Sequence, residues 1–358
     1  MSKLTNVNPI VGAPGDDFPE YLIRLIHEKF FKGFPIRWVD LSVDAVLSNR
    51  NKAISEFVDG LEEMHYGFKG STSSQKTGGS INPAIRKLTG GVCAFRMSLT
   101  SEQKLAVLRY FFGGIYSQTN PRVRHSFDTL GFIMAWLAQP LATMNQIITQ
   151  KFADLQWSQV TLYTTQSMRL DTLPVFAKIA ELIARQYELE IATESKDTVA
   201  IEDEYFKAAV CGYFEEHGIE YTHKLTDLLV AEVPNDKETL YVVQNYPGDI
   251  ISDVACFVEE TFDFFSTVYC QNGNIYEEMS LGSDTKQFAI HLKGEETRHD
   301  SLLYFFMLAN SYKLANAGNE EVVAYCDNVF NTARAVHQEI GVTETFAFIN
   351  EVANRLAI

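Results

Sequence analysis

Cysteine is scarce and unpaired in this chain. Cys93, Cys211, Cys256, Cys270 and Cys326 are odd in number, widely spaced and form no CxxC motif, which argues against a disulfide framework. They read as buried free thiols of a reducing compartment, so a cytoplasmic location is expected. No apolar run approaches the roughly 20 residues that span a bilayer. The N-terminal stretch MSKLTNVNPIVGAPGDD has no apolar core of a secretory signal. No membrane partner is expected. The sequence also lacks GxxxxGK[ST], GxSxG, HExxH and an EF-hand loop, so TGG and FFGG are not phosphate loops and no complete catalytic signature is present. Basic residues are the minority: 30 Lys and Arg against 46 Asp and Glu give a net charge of −16, unfavourable for a nucleic-acid partner if it were spread evenly.

The charge is not spread evenly. Between Met64 and Ala153 stand ten bases, Lys69, Lys76, Arg86, Lys87, Arg96, Lys104, Arg109, Arg122, Arg124 and Lys151, against the two acids Glu102 and Asp128. That segment carries +8, and the remainder therefore carries −24. His125, beside Arg122 and Arg124, suits an anion contact. Interleaved aromatics (Phe68, Phe95, Tyr110, Phe111, Phe112 and Tyr116) give faces that can stack on unpaired bases while the cations neutralise phosphates. The alternative is that each charge sits singly on a solvated helix face.

With 358 residues, 46% of them hydrophobic, the chain can build two lobes. Periodicity predicts a mainly α fold of two helical lobes with at most a small β-hairpin in the second. Residues 1–16 read as an extended arm, 17–165 as an N-terminal lobe holding the basic segment, and 166–358 as an acidic C-terminal lobe. FPEYLIRLIHEKFF and VDAVLSNRNKAISEFVDGLEEM carry helical spacing. GFKGSTSSQKTGGSINP reads as a loop. SLTSEQKLAVLRYFF and DVACFVEETFDFFSTVY read as helices, and only ETLYVV has strand character.

The segment HLKGEETRHDSLL sets Glu296 and His299 three apart, and on a helix they share a face with Leu292, Leu303 and Phe306. Glu260 on the preceding helix would stand level with them. A Glu from one helix and ExxH from the next make half of a di-iron carboxylate site, and Glu220 with His223 has the spacing of the second half. The segment resembles the last metal-binding helix of the AurF-type N-oxygenases, which implies an enzyme holding two iron ions. The reading preferred from the residues is a buried, hydrogen-bonded Glu–His pair with Glu260 and no metal. Gly218 favours this second reading, because it ends a helix before Glu220.

In layout the chain resembles the nucleoproteins and helical coat proteins of RNA viruses, which hold RNA between two helical lobes. That resemblance implies a non-enzyme without cofactor, binding single-stranded RNA through the ten bases and His125, assembling head-to-tail with copies of itself, and found in the virion. A di-iron oxygenase and a protein-shell subunit without nucleic-acid contact are the alternatives.

Overall fold

The computed structural model describes residues 4, 6–113, 168–198, 200–261, 264–279, 282, 284–341 and 344–358. Ten strands form one sheet, in the order β2-β1-β3-β10-β9-β4-β5-β8-β6-β7. The strands are β1 (Ile10–Gly15), β2 (Ile36–Trp38), β3 (Tyr66–Ser71), β4 (Gly91–Ser98), β5 (Ala106–Tyr110), β6 (Glu190–Ser195), β7 (Thr222–Leu225), β8 (Thr239–Val243), β9 (Phe264–Cys270) and β10 (Ile275–Glu278). The contacts β10–β9, β9–β4 and β4–β5 are antiparallel and the others parallel. The described α-helices, in chain order, are α1 (Asp17–Phe30), α2 (Val43–Met64), α3 (Asn82–Leu88), α4 (Leu173–Tyr187), α5 (Ile201–Glu216), α6 (Thr226–Glu232), α7 (Asn245–Val258), α8 (Thr285–His291), α9 (Leu302–Ala315), α10 (Glu320–Ile340) and α11 (Thr345–Leu356). Chain contacts divide Met1–Phe111 with Leu170–Ile358 from a second unit, Phe112–Arg169. The boundary expected at 165/166 lies outside the described residues, and the structure below is that of the first unit.

The expectation of a mainly α chain is corrected: this is an α/β fold. Central strands buried on both faces read as continuous apolar runs, which periodicity alone does not separate from buried helix. AVLRY inside SLTSEQKLAVLRYFF is β5, and FFSTVYC at the end of the supposed second helix is β9. Residues 10–15, within the expected arm, are β1, buried at every position. Pro14 is tolerated there because β2 pairs only with Ile10, Val11 and Gly12, so no second partner needs an N–H from residue 14. β1 and β3 approach so closely that a Cβ on Gly70 would lie 1.9 Å from the Pro14 carbonyl oxygen.

One face of the sheet carries two apolar cores. Around α2 and α3, Phe57, Leu61 and Ile85 pack with Ala94, Val268 and Tyr276; around α6 and α7, Leu229 and Ile251 pack with Val107, Tyr241 and Val243. Between these cores the same face presents Arg96 of β4, Arg109 of β5 and Glu278 of β10, charged residues that alternate in step with the apolar Ala94, Val107 and Tyr276. On the opposite face, Phe265 meets Phe306 of α9 and Tyr110 meets Phe176 of α4.

Candidate functional site

Register builds the charged row. In the β4–β5 ladder Ala94 faces Arg109 and Arg96 faces Val107, so Arg96 and Arg109 are diagonal neighbours on one face. In the β10–β3 ladder Glu278 faces Lys69. Helix α3 begins with Pro at its start and delivers Arg86 to Glu278, with Nε 3.2 Å from Oε2 and Nη2 against Oε1. This fork is a bidentate charge-assisted pair, and Asn82 Nδ2 also donates to Oε1 at 3.2 Å. Arg109 donates through Nη1 to Asp249 and through Nε to Asn245 Oδ1 at 3.0 Å. Arg96 Nη1 stands 3.8 Å from the same Asp249 carboxylate, and its Nε is buried with no hydrogen-bond partner. Asp249 and Asp253 lie one turn apart on α7, and Asp253 acts electrostatically on Arg96.

The electrostatics follow from crowding cations in a poorly hydrated place. Lys69 is 2% exposed, and burial lowers its ammonium to about 8 against the pull of Glu278. Its Nζ donates to the Gly70 carbonyl at 2.7 Å. Burial likewise lowers Arg96, with the Arg86 charge adding to it. Glu278 sits below the usual carboxylate value, because the attraction of Arg86, Lys69 and Arg96 outweighs a large burial penalty. Three guanidinium groups and an ammonium crowded around carboxylates make a region chemically suited to meeting a small polyanion.

The row continues along the carboxyl ends of β8, β6 and β7, where ligands of parallel sheets bind. Lys196, just after β6, pairs with Asp227 of α6, and its backbone N–H donates to Asp203 of α5. Glu194, fully buried at the end of β6, accepts from Thr226 Oγ1 and from the Gln244 backbone N–H at 3.2 Å. Burial raises its carboxyl to about 7.

The basic residues singled out from the sequence thus separate. Lys69, Arg86, Arg96 and Arg109 converge. Lys76, in the loop after β3, pairs with Asp17 at 3.4 Å, and Lys104 pairs with Glu238 at 3.0 Å. Lys87 is an exposed residue of α3. Arg122, Arg124, His125 and Lys151 lie outside the described residues. The acidic partners Glu278, Asp249, Asp253, Asp227 and Glu194 were missed. The available signal was NYPGDIISD after an apolar strand, two carboxylates four apart at a strand-to-helix junction.

The Glu–His segment is not a helix. Gly294 adopts φ +74° and the chain between α8 and α9 is irregular, so Glu296 is exposed while His299 is buried. His299 Nδ1 lies 2.6 Å from Asp284 Oδ2 and Nε2 lies 2.6 Å from the Tyr304 hydroxyl. Glu260 is exposed in a turn after α7 at φ +51°. Glu220 is exposed, and His223 on β7 meets Ser195 Oγ at 2.9 Å. Neither the di-iron constellation nor the Glu260–Glu296–His299 pairing forms, and among the described residues no group of three or more His, Cys, Asp or Glu is arranged for a metal.

Comparison with known proteins decides the family. The isocitrate/isopropylmalate dehydrogenase model matches residues 28–291. The chain belongs to the isocitrate/isopropylmalate dehydrogenase family. It is 23% identical to the mitochondrial NADP isocitrate dehydrogenase of Saccharomyces cerevisiae, over 86% of this chain and 78% of that one. It is 22% identical to the cytosolic NADP isocitrate dehydrogenase of Arabidopsis thaliana, over 86% of this chain and 81% of that one. Its fold matches an isocitrate dehydrogenase from Ostreococcus tauri crystallised with isocitrate and magnesium(II), with TM-score 0.78, 16% identity and coverage of 98% and 99% of the two chains. Family membership overturns the RNA-binding nucleoprotein, the self-assembling shell subunit and the di-iron oxygenase, and with them the expectation of a non-enzyme without cofactor, bound to RNA and copies of itself in a virion. The relatives include mitochondrial and cytosolic forms, so a cytoplasmic location is compatible with the family. No helix among the described residues is long and apolar enough to cross a membrane.

Proposed function

We propose that this dehydrogenase oxidises isocitrate with NADP and a divalent cation such as magnesium. The observation that carries the reading is the convergence of Arg86, Arg96, Arg109 and Lys69 on Asp249 and Glu278. Three guanidinium groups suit three carboxylates. These four cations against Glu278, Asp249 and Asp253 leave one positive charge. A divalent cation raises that to three, which a tricarboxylate neutralises. Four converging cations favour a third carboxylate over the isopropyl group of the alternative family substrate, isopropylmalate.

Asp249 and Asp253 fit the metal. They are hard oxygen donors on one face of α7, and magnesium is commonly held by one or two carboxylates with substrate oxygens filling other positions. For the nucleotide, Lys76, Lys286 and Arg298 are exposed cations near Asp17, Thr285 and Gln287. Lys76 and the Thr285 hydroxyl both meet Asp17, and the Arg298 N–H donates to Gln287 at 2.9 Å. They supply the positive charge that phosphates of NADP require. When bound, the cation would polarise the substrate's hydroxyl and carboxylate, and NADP would accept the hydride.

The chain's own groups bind, orient and exchange protons. Arg109 and Arg96 leave Asp249 for the substrate, so substrate and cation enter together. Lys69 Nζ, lowered to about 8, can take or return a proton near neutral pH, and the Lys196–Asp227 pair stands at the neighbouring strand ends. A calorimetric titration tests the reading. Isocitrate with magnesium should bind at least tenfold more tightly than isopropylmalate, and Arg86→Met should abolish the difference. Equal binding of both acids, or binding indifferent to Arg86, would sink it.

A further inference from the structure

We propose that Glu194 is a positioning residue, a buried clasp that ties the Lys196–Asp227 pair to the anion-binding Arg109 through the ends of three parallel strands. The inference rests on reading this strand edge as a dehydrogenase site. Among the described residues Glu194 bonds to Thr226 and Gln244, not to Asp249, Asp253 or an arginine. Its two oxygens reach in different directions: Oε2 takes the hydroxyl of Thr226, whose chain neighbour is Asp227, and Oε1 takes the backbone N–H of Gln244, whose neighbour is Asn245.

Each bond has a separate consequence. Thr226 opens α6, so fixing it fixes the carboxylate that pairs with Lys196. Asn245 opens α7 and is itself held in place, donating to the Phe111 carbonyl at 2.8 Å while its Oδ1 receives Arg109 Nε at 3.0 Å. From the other side Asp203, 8% exposed, receives the Lys196 N–H, so the strand end carrying Lys196 is held by carboxylates on both flanks. A fully buried carboxyl group is a costly way to join loops unless the joined geometry matters. Burial raises this one to about 7, so a neutral amide of the same shape reproduces the clasp: its oxygen accepts from Gln244 while its NH2 donates to a rotated Thr226 hydroxyl.

The test combines labelling of Lys196 by trinitrobenzenesulfonate, read by mass spectrometry on the full chain without substrate, with steady-state isocitrate kinetics. In Glu194→Ala, Lys196 labelling should rise at least threefold relative to the other lysines, and KM for isocitrate should rise about tenfold with kcat changed less than threefold. Glu194→Gln should restore both to within twofold of wild type. Thr226→Val cuts one arm only, and should raise Lys196 labelling without moving KM; it decides the matter if Glu194→Ala does not fold. Unchanged Lys196 labelling in both variants, or a uniform rise over all lysines, would overturn the clasp. Absence of isocitrate turnover in the wild type would overturn the functional reading instead, and the labelling would still judge Glu194.

Discussion

Glu277 offers a test of how this sheet handles a buried acid. It lies on β10, 1% exposed, on the face opposite the charged row. Its partners are neutral: Asn310 of α9 donates at 2.7 Å, and the Thr267 hydroxyl of β9 lies 3.0 Å from both oxygens. With no cation among the described residues acting on it, burial dominates and raises the carboxyl to about 8 from 4.5. A raised acid is stabilising in its protonated form, so its contribution is fully present below pH 4.5 and is lost as pH rises towards 8. The span from 4.5 to about 8 sets an upper bound of about 5 kcal/mol, and with relaxation and water entry roughly 2–4 kcal/mol is expected. Glu277→Gln keeps the Asn310 bond and can donate to Thr267 in place of accepting. Urea denaturation at intervals from pH 5 to 8.5 should show the variant gaining on the wild type by about that amount, mostly between pH 5 and 8. A constant difference across the range would refute the assignment of a raised, uncompensated carboxyl. The comparison cancels Lys69, whose lowered ammonium acts oppositely, costing stability as pH falls through 8.

Three further outcomes follow from named contacts. Arg86→Met leaves Glu278 buried beside fewer cations and should cost roughly 3–5 kcal/mol in chemical denaturation, and Arg86→Met with Glu278→Gln should recover much of it. Lys69→Met removes a buried ammonium whose lowered value marks net destabilisation, so melting at pH 6 should be no lower than wild type while the acid limb of the kcat profile changes shape. Gly70→Ala drives a methyl into the Pro14 carbonyl and should cost more than about 2 kcal/mol, with loss of sheet signal if β1 detaches.

How much of this was legible in the sequence depends on the element. Helices with a polar face, such as α1 and α2, announce themselves by spacing, and ETLYVV is β8. The strands β4, β5 and β9 did not, because they are covered on both faces and show no alternation. β1 hid behind Pro14 and two glycines that serve close strand packing. The basic segment was visible as a charge imbalance, but its meaning was not. Lys69, Arg86, Arg96 and Arg109 meet only because strand register and α3 bring them together, and their carboxylate partners come from 140 to 192 residues away in the case of Asp249 and Glu278. His299 was visible as a buried residue. Its partners Asp284 and Tyr304 were not, since the helix assumed through Gly294 pointed to Glu260 instead.

On the proposed reading, the converging arginines and the Asp249–Asp253 pair serve metal-dependent oxidation of isocitrate. The most direct measurement follows NADPH absorbance at 340 nm with the purified chain, isocitrate, NADP and magnesium, repeated with chelator and with Asp253→Asn. Steady NADPH formation that chelator abolishes is expected, with a magnesium requirement raised at least tenfold in Asp253→Asn. No NADPH from isocitrate under saturating cation, or formation unaffected by chelator and by Asp253→Asn, would contradict it.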